Sequence, residues 1–178
     1  MSFFKTFLKN PSQVWSIVPS SRFLVNSMLS QVDFKESKLI LELWVWIWNI
    51  SSQILYKMWE DSKLVWFELD SKLIEKCSFS DNDRFSLIND SAENISNYID
   101  SKADCIISGL PFASLPNEVW DKIINEVYAN LKTGWSFVQF QYFLTDKKRF
   151  DRVFWKANIS FQALNIPPAF IYRYTKND

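Results

Sequence analysis

The stretch Lys38–Trp48, K-L-I-L-E-L-W-V-W-I-W, constrains the fold more than any other part of the chain. Its first half is an apolar run of the length and composition of a buried strand. Its second half places tryptophan at 44, 46 and 48, where the chain should turn toward a helix. A strand entering a helix through a tight loop needs residues without side chains, so that backbone N–H groups can approach a ligand. With glycine at those three positions the stretch reads E-L-G-V-G-I-G, a nucleotide-binding turn. With tryptophan it is a hydrophobic plug.

Composition bears on that choice. The chain has 2 glycines and 9 tryptophans in 178 residues, against a usual glycine content of roughly 7%. Trp15 lies in a polar loop, Trp59 follows a helical pattern, Trp135 follows Gly134 before a strand, and Trp155 closes another helical pattern. A helix C-terminus favours a left-handed residue, which glycine supplies cheaply and tryptophan does not. We read most or all of the 9 tryptophans as standing at glycine positions. A UGA codon decoded as glycine in the source and as tryptophan here would produce this pattern, as would deliberate substitution.

At 178 residues the chain suits one domain with a real core. The 20 basic and 20 acidic residues cancel, which argues against bulk nucleic-acid binding but not against a local basic patch. There is no histidine, hence no imidazole base and no imidazole metal ligand. Cys77 and Cys105 are far apart and read as buried thiols, with no metal site. The absence of a signal peptide or a long apolar span predicts a cytoplasmic, non-spanning protein.

Residues 1–31 form an N-terminal segment. Phe3, Phe4, Phe7 and Leu8 share one helical face with Lys5 and Lys9 alongside, a pattern that fits an interfacial helix or a terminal segment packed on the domain. Ser20 or Ser21 caps a helix to about Gln31, with Phe23, Leu24, Met28 and Leu29 as its apolar face. Strands are expected over 39–43, 64–69, 85–89, 103–108 and 137–143, and helices over 49–58, 71–76, 116–131 and 146–154. Residues 91–99 read as a loop with a helical turn. Two strands follow between Ile159 and Tyr174, separated by Asn165-Ile-Pro-Pro168, the last of them edge-like. Strands alternating with helices predict a mostly parallel sheet covered on both faces, and the final pair an antiparallel hairpin.

Four features fall at successive strand ends, where open α/β sheets bind ligands. The first is the turn at 44–48, preceded by Glu42. The second is Glu68, about 20 residues past the turn, a spacing that suits a carboxylate on ribose hydroxyls. The third is Asn89-Asp90-Ser91-Ala92-Glu93, where Asp90 is placed to accept from an adenine amino group. The fourth is Ser108-Gly-Leu110-Pro111-Phe112, a turn able to set carbonyls and an aromatic ring over a reacting centre. Taken singly each has a plainer reading: Glu68 a surface acid, Asp90 a cap, Leu110–Phe112 loop packing. Together they point to a nucleotide-type cofactor. Asn49-Ile-Ser after the turn lacks the lysine of a phosphate loop.

On these residues the chain resembles the class I S-adenosylmethionine-dependent methyltransferases over nearly its whole length. The resemblance implies one domain over 1–178 with a Rossmann-like core over 38–178, a seven-stranded mostly parallel sheet and a C-terminal antiparallel hairpin. Glu42 with Trp44, Trp46 and Trp48 is similar to the family's first motif. Glu68 is similar to its ribose acid, and Asp90, with Ser91 and Ala92, to its adenine-binding segment. Ser108–Phe112 occupies the place of the Asn/Asp-Pro-Pro-Tyr/Phe loop but departs from it at the first positions. Within the family the chain is most similar to bacterial phospholipid N-methyltransferases, which also resemble ribosomal RNA adenine dimethylases. That likeness rests on Gln13–Ser21, Ser108–Pro116 and Leu164–Arg173.

The resemblance implies S-adenosylmethionine as cofactor, in-line methylation of the amine of phosphatidylethanolamine or a related phospholipid, and peripheral contact with a membrane. Methyl transfer from a sulfonium needs chiefly proximity and orientation, and no metal or covalent nucleophile. Leu110, Pro111, Phe112 and Tyr142 are the acceptor-site candidates, with no general base assigned. One alternative is an RNA adenine methyltransferase. Another, if the tryptophans are real, is a Rossmann-like module deficient in cofactor binding.

Overall fold

The computed structural model describes residues 22–43, 49–75 and 82–177. The amphipathic stretch at 1–10, the Ser20/Ser21 cap, Trp15, Cys77 and the turn carrying Trp44, Trp46 and Trp48 lie outside the described residues. In chain order the elements are α1 (Arg22–Leu29), β1 (Leu39–Leu43), α2 (Asn49–Lys57), β2 (Lys63–Phe67), α3 (Ser71–Glu75) and β3 (Phe85–Ile88). A 3-10 segment (Ala92–Asn97), β4 (Ala103–Ser108), α4 (Asn117–Asn130), β5 (Leu131–Gln141), α5 (Lys147–Phe154), β6 (Ala157–Gln162) and β7 (Ala169–Thr175) follow.

The seven strands form one sheet in the order β3-β2-β1-β4-β5-β7-β6. The pairs from β3 to β5 are parallel, and β7 runs antiparallel to both β5 and β6. Chain order reverses between β1 and β4, so their carboxyl ends open the crevice where α/β sheets take ligands.

Alternation along the strands builds a core on each face. Ile40, Leu64, Trp66, Cys105, Ile107 and Val138 pack on one side with α1 and α2. Leu41, Leu43, Val65, Phe67, Ile106 and Phe137 pack on the other with α4 and α5. In α1 the buried residues are Leu24, Val25, Met28 and Leu29, whereas Phe23, expected on that face, is 40% exposed. The 100° step sets Phe23 beside the stripe and Val25 within it. In α4 the stripe is Trp120, Ile123, Ile124 and Val127.

Two strand expectations change. The edge strand is β6, not β7. Ala169-Phe-Ile-Tyr-Arg-Tyr-Thr has four fully buried positions, while Ala157-Asn-Ile-Ser-Phe-Gln has none, so the more polar strand takes the rim. Strand β5 also starts six residues earlier than the apolar run suggested. Gly134, at φ 83, bends the strand without ending it. The Gly134 N–H donates to the Lys176 carbonyl at 2.8 Å, and the Lys176 N–H to the Trp135 carbonyl at 2.9 Å.

Of the described tryptophans, Trp59 is exposed and Trp135 half-buried, neither of them at a positive φ, and the other three separate into two kinds. Trp155 has φ 75 and is 81% exposed at the end of α5, the left-handed position that favours glycine. Trp66 and Trp120 are core residues, 2% and 1% exposed. The Trp120 indole packs on Phe112 and Phe150 at centroid distances of 5.4 and 4.8 Å, under the Arg149 guanidinium. The expectation of glycine positions therefore matches the backbone at 155 and runs against the packing at 66 and 120.

Candidate active site

Three carboxylates stand at the carboxyl ends of β1, β2 and β3. Glu42, next to last in β1, alternates with Leu41 and Leu43 and so projects toward α2. Ser51 of α2 donates to its Oε2 at 2.7 Å. Its Oε1 is buried with no hydrogen-bond partner among the described residues. Burial pushes this carboxyl up to about 8; the Ser51 hydrogen bond opposes the shift and the Glu68 charge adds to it. An unpartnered acceptor in the interior is costly unless a donor arrives. A cation or N–H donor reaching that oxygen would favour the ionised form.

Glu68 lies just past β2 and is 2% exposed. Its Oε1 accepts from the backbone N–H groups of Leu69 and Asp70, both at 2.8 Å. The Asn89 amide donates to its main-chain carbonyl at 2.9 Å, tying the ends of β2 and β3 together. The carboxylate is set at the mouth of the crevice and turned onto its own loop.

Asp90 is more heavily engaged. Oδ1 accepts from the Ser91 N–H at 2.7 Å and from Asn94 Nδ2 at 3.1 Å, while Oδ2 accepts from Asn94 Nδ2 at 3.0 Å and the Tyr98 hydroxyl at 2.7 Å. The Tyr98 hydrogen bond is the chief reason its carboxyl is held below the usual range. These contacts fill about four acceptor positions, all that a carboxylate offers. An adenine amino group would have to displace one of them. Ser91 accepts from the Glu93 N–H at 3.2 Å and caps the 3-10 segment, and Ala92 is buried beneath it.

The loop after β4 crosses to β1, with the Gly109 N–H donating to the Leu43 carbonyl at 3.1 Å. Ser108 is fully buried and accepts from the Leu110 N–H at 3.2 Å. Phe112 is 1% exposed, in edge contact with Phe150 at 5.0 Å; its ring is core packing and does not stand over an open centre. Pro111 is half-buried at the loop's crest. Tyr142 follows the end of β5, half-buried, its ring edge-on to Phe140 at 5.7 Å. Burial raises its hydroxyl, with Asn165 as an opposing hydrogen-bond partner.

Gln139 and Gln141 were not visible as site residues in the sequence. Their Nε2 groups donate to the Leu110 carbonyl at 3.0 and 3.1 Å, one from each side-chain amide. Both glutamines are buried, and Gln139 Oε1 has no partner among the described residues. Two residues of one strand face thus clamp the loop by a single oxygen. The signal was there as Gln-x-Gln at the end of an apolar strand, the i, i+2 spacing of one face.

Beside Asp90, the side chains of Phe67, Leu69, Ala92, Leu110 and Ile123 line a small cleft of about 20 Å³, room for a water. The Glu42 oxygen, which has no partner among the described residues, and the acids at three adjacent strand ends fit the donor groups of S-adenosylmethionine. Larger hollows of about 320 and 470 Å³ lie at the amino end of the sheet and against β6, away from the acids. No cluster of potential metal ligands occurs among the described residues.

No family model matches the chain. An ornithine lipid N-methyltransferase from Singulisphaera acidiphila is 23% identical over 178 residues, covering 96% of this chain and 92% of that protein. The N-methyltransferase NodS from Bradyrhizobium japonicum superposes with a TM-score of 0.71 at 10% identity, covering 88% of this chain and 96% of its own. An rRNA methylase from Streptococcus thermophilus superposes with a TM-score of 0.66 at 17% identity, covering 91% and 99%. The fold is that of the class I S-adenosylmethionine-dependent methyltransferases. Its seven-stranded sheet, closing antiparallel hairpin and flanking helices agree with the architecture expected from the residues.

Proposed function

We propose that this chain is a methyltransferase that moves a methyl group from S-adenosylmethionine to the amine of a lipid, phosphatidylethanolamine or a related amine-bearing phospholipid. The observation that carries the cofactor reading is Glu42, a buried carboxyl with one oxygen unpartnered among the described residues, at the crevice between β1 and β4. When bound, the cofactor supplies an electrophilic methyl on sulfur. Glu42 and Glu68 would hold its polar groups, and Asp90 would do so after releasing one of its present donors. The loop at Ser108–Phe112, fixed through the Leu110 carbonyl by Gln139 and Gln141, would orient the incoming amine. With no histidine in the chain, the amine's proton leaves to water or to a carboxylate.

The lipid amine is favoured by the end-to-end likeness to an enzyme named for a lipid N-methylation. The balance of 20 basic and 20 acidic residues favours it over RNA, whose binding draws on clustered basic charge. The likeness to an rRNA methylase keeps RNA adenine as the second reading. Contact with the membrane is peripheral in this proposal, on the cytoplasmic side; no helix among the described residues is long and apolar enough to cross a bilayer.

The test is transfer of labelled methyl to phosphatidylethanolamine vesicles and, in parallel, to ribosomal RNA. It uses the chain with glycine at 44, 46 and 48, because indoles there would fill the space where backbone meets cofactor. Trp66 and Trp120 stay, since both indoles are packed in the core. Label in lipid alone is the expected result, and label in RNA alone would replace lipid with the second reading. Tight cofactor binding by the three-tryptophan chain would remove the argument for glycine in the turn.

A further inference from the structure

Ten large apolar or aromatic side chains are exposed among the described residues, and they divide by place and by chemistry. Tyr56, Trp59, Tyr98 and Trp155 are scattered over α2, the 3-10 segment and the end of α5, and each carries a polar atom that water can satisfy. Phe23, Phe143, Leu144, Phe161, Leu164 and Ile166 carry none. They are 40, 67, 45, 58, 63 and 77% exposed.

These six belong to one rim. Gln141 of β5 pairs with Phe170 of β7, which pairs with Phe161 of β6, so the β6–β7 connection lies at the carboxyl end of β5. That is also the end at which Glu42, Glu68 and the Ser108–Phe112 loop stand. Gln162 Nε2 donates to Ser27 Oγ at 2.6 Å and to the Phe23 carbonyl at 3.3 Å, fastening the hairpin to α1. The Tyr172 hydroxyl donates to the Phe143 carbonyl at 3.2 Å, fastening the β5–α5 loop to β7. The Phe161 ring rests on Phe170 at 5.1 Å. Hydrocarbon is therefore presented on a braced edge.

Charge selects the occupant. The Arg22 guanidinium lies over the Phe23 ring at 5.2 Å, and exposed Lys148 follows the Phe143–Leu144 loop, next to Lys147, which is ion-paired with Asp151. The acid between them, Asp146, is half-buried, and burial raises its carboxyl. Apolar side chains edged by cations match the interface of an anionic bilayer.

We propose that this rim, from Phe23 across the Phe143–Leu144 loop to the β6–β7 hairpin tip, is a docking surface for an anionic lipid bilayer. The proposal rests on the lipid-amine reading and gives it a geometry. With the rim seated among the headgroups, a lipid amine reaches the crevice while its acyl chains stay in the membrane.

The experiment is sedimentation of the full chain with vesicles of phosphatidylglycerol and phosphatidylethanolamine, and with vesicles of phosphatidylcholine alone. Leu164→Ser with Ile166→Ser should weaken binding to the anionic vesicles by roughly tenfold or more, given the hydrocarbon withdrawn from the interface. Phe143→Ser should weaken it less, and Lys148→Glu should weaken it in a way that added salt mimics. Tyr56→Ser, a change at a still more exposed aromatic elsewhere, should leave it unchanged. Binding by the hairpin double variant equal to the starting chain would overturn the proposal, as would an equal loss with Tyr56→Ser. Equal affinity for the zwitterionic vesicles would also overturn it. A change in sedimentation coefficient without vesicles, specific to the hairpin variant, would assign the rim to a second copy of the chain and overturn it too. If residues 1–10 alone carry the binding, deleting them will abolish it while the hairpin variants bind normally, which again refutes the rim. Methylation of a short-chain, monomeric phosphatidylethanolamine separates the two levels. Hairpin variants should retain it, and its absence in the starting chain would sink the lipid-amine reading while leaving the vesicle result to stand by itself.

Discussion

Glu42 and Asp104 are both carboxylates, both 2% exposed and both on central strands of one sheet, and they are used in opposite ways. Asp104 sits at the amino end of β4. Its Oδ2 accepts from the backbone N–H groups of Lys38 and Leu39 at 2.8 and 2.9 Å, and its Oδ1 from Lys132 at 2.6 Å. Every charge and donor there is matched, and the group splices the start of β1 to β4 and β5. Glu42 sits at the other end with one serine and, among the described residues, one oxygen without a partner. Burial by itself therefore does not separate the two acids. What separates them is burial without completion, on the edge where the strand order reverses.

The contrast breaks most readily at Asp104. Asp104→Ala should cost about 2–4 kcal/mol in urea unfolding, because two strand-starting N–H groups lose their acceptor and Lys132 its partner. Lys132 is 42% exposed and can turn to solvent, which keeps the loss from being larger. Loss of less than the usual surface-mutation scatter would show that the amino-end network is ornamental.

Glu42→Gln should move stability the other way, by roughly 1–3 kcal/mol at pH 8, since a neutral amide no longer carries the desolvation cost of a buried acid. The same variant should lose affinity for S-adenosylmethionine in calorimetry of the chain with glycine at 44, 46 and 48. Gain of stability with unchanged affinity would remove Glu42 from the site.

The pH dependence follows from the direction of the shift. The folded-state value, about 8, lies above the ordinary 4.5, so the folded protein keeps a proton that the unfolded chain releases. The stabilisation from this group is complete below pH 4.5 and declines as pH rises to about 8. Urea midpoints measured from pH 5 to 9 should fall for the starting chain and fall less for Glu42→Gln; parallel curves would contradict the assignment.

The smallest effect concerns a position outside both acids. Trp155→Gly should stabilise by about 0.5–1 kcal/mol, the relief of a left-handed backbone less the entropy glycine brings. Destabilisation there would favour tryptophan as the residue that belongs at 155. Reading the codons at the tryptophan positions tests the wider pattern directly.

Much of the architecture was legible because it is repetitive. Apolar runs such as Leu39–Leu43 and Ala103–Ser108 have the observed bounds, since a strand buried on both faces has little choice of composition. Phe23 and Val25 were exchanged because periodicity locates a stripe only to within one residue. The edge strand was misassigned because the apolarity that makes β7 central is shared by edge hairpins, and its partners in β5 lie far back in the chain, Gln141 opposite Phe170 being the nearest. Among site residues, Glu42, Glu68 and Asp90 stand at the strand ends where spacing placed them. That Asp90 is filled by Asn94 and Tyr98, or that Phe112 belongs to the core, depends on neighbours which spacing does not name. Gln139 and Gln141 escaped notice because alternating polar residues in a strand read as a solvated face. Only the Leu110 carbonyl, brought over them by the loop, makes them buried clamps.

By itself the sequence determined the alternation of strands and helices, the acids at the strand ends and the unusual alternating tryptophans between Leu43 and Asn49. These are local properties, set by side-chain period and turn chemistry within a few residues. The tertiary structure decided which buried acid is completed and which is left wanting, which tryptophans are core and which sits on a left-handed backbone, and which apolar residues reach water together. Those outcomes depend on donors and surfaces delivered from elements far apart in the chain, and no local pattern carries that information.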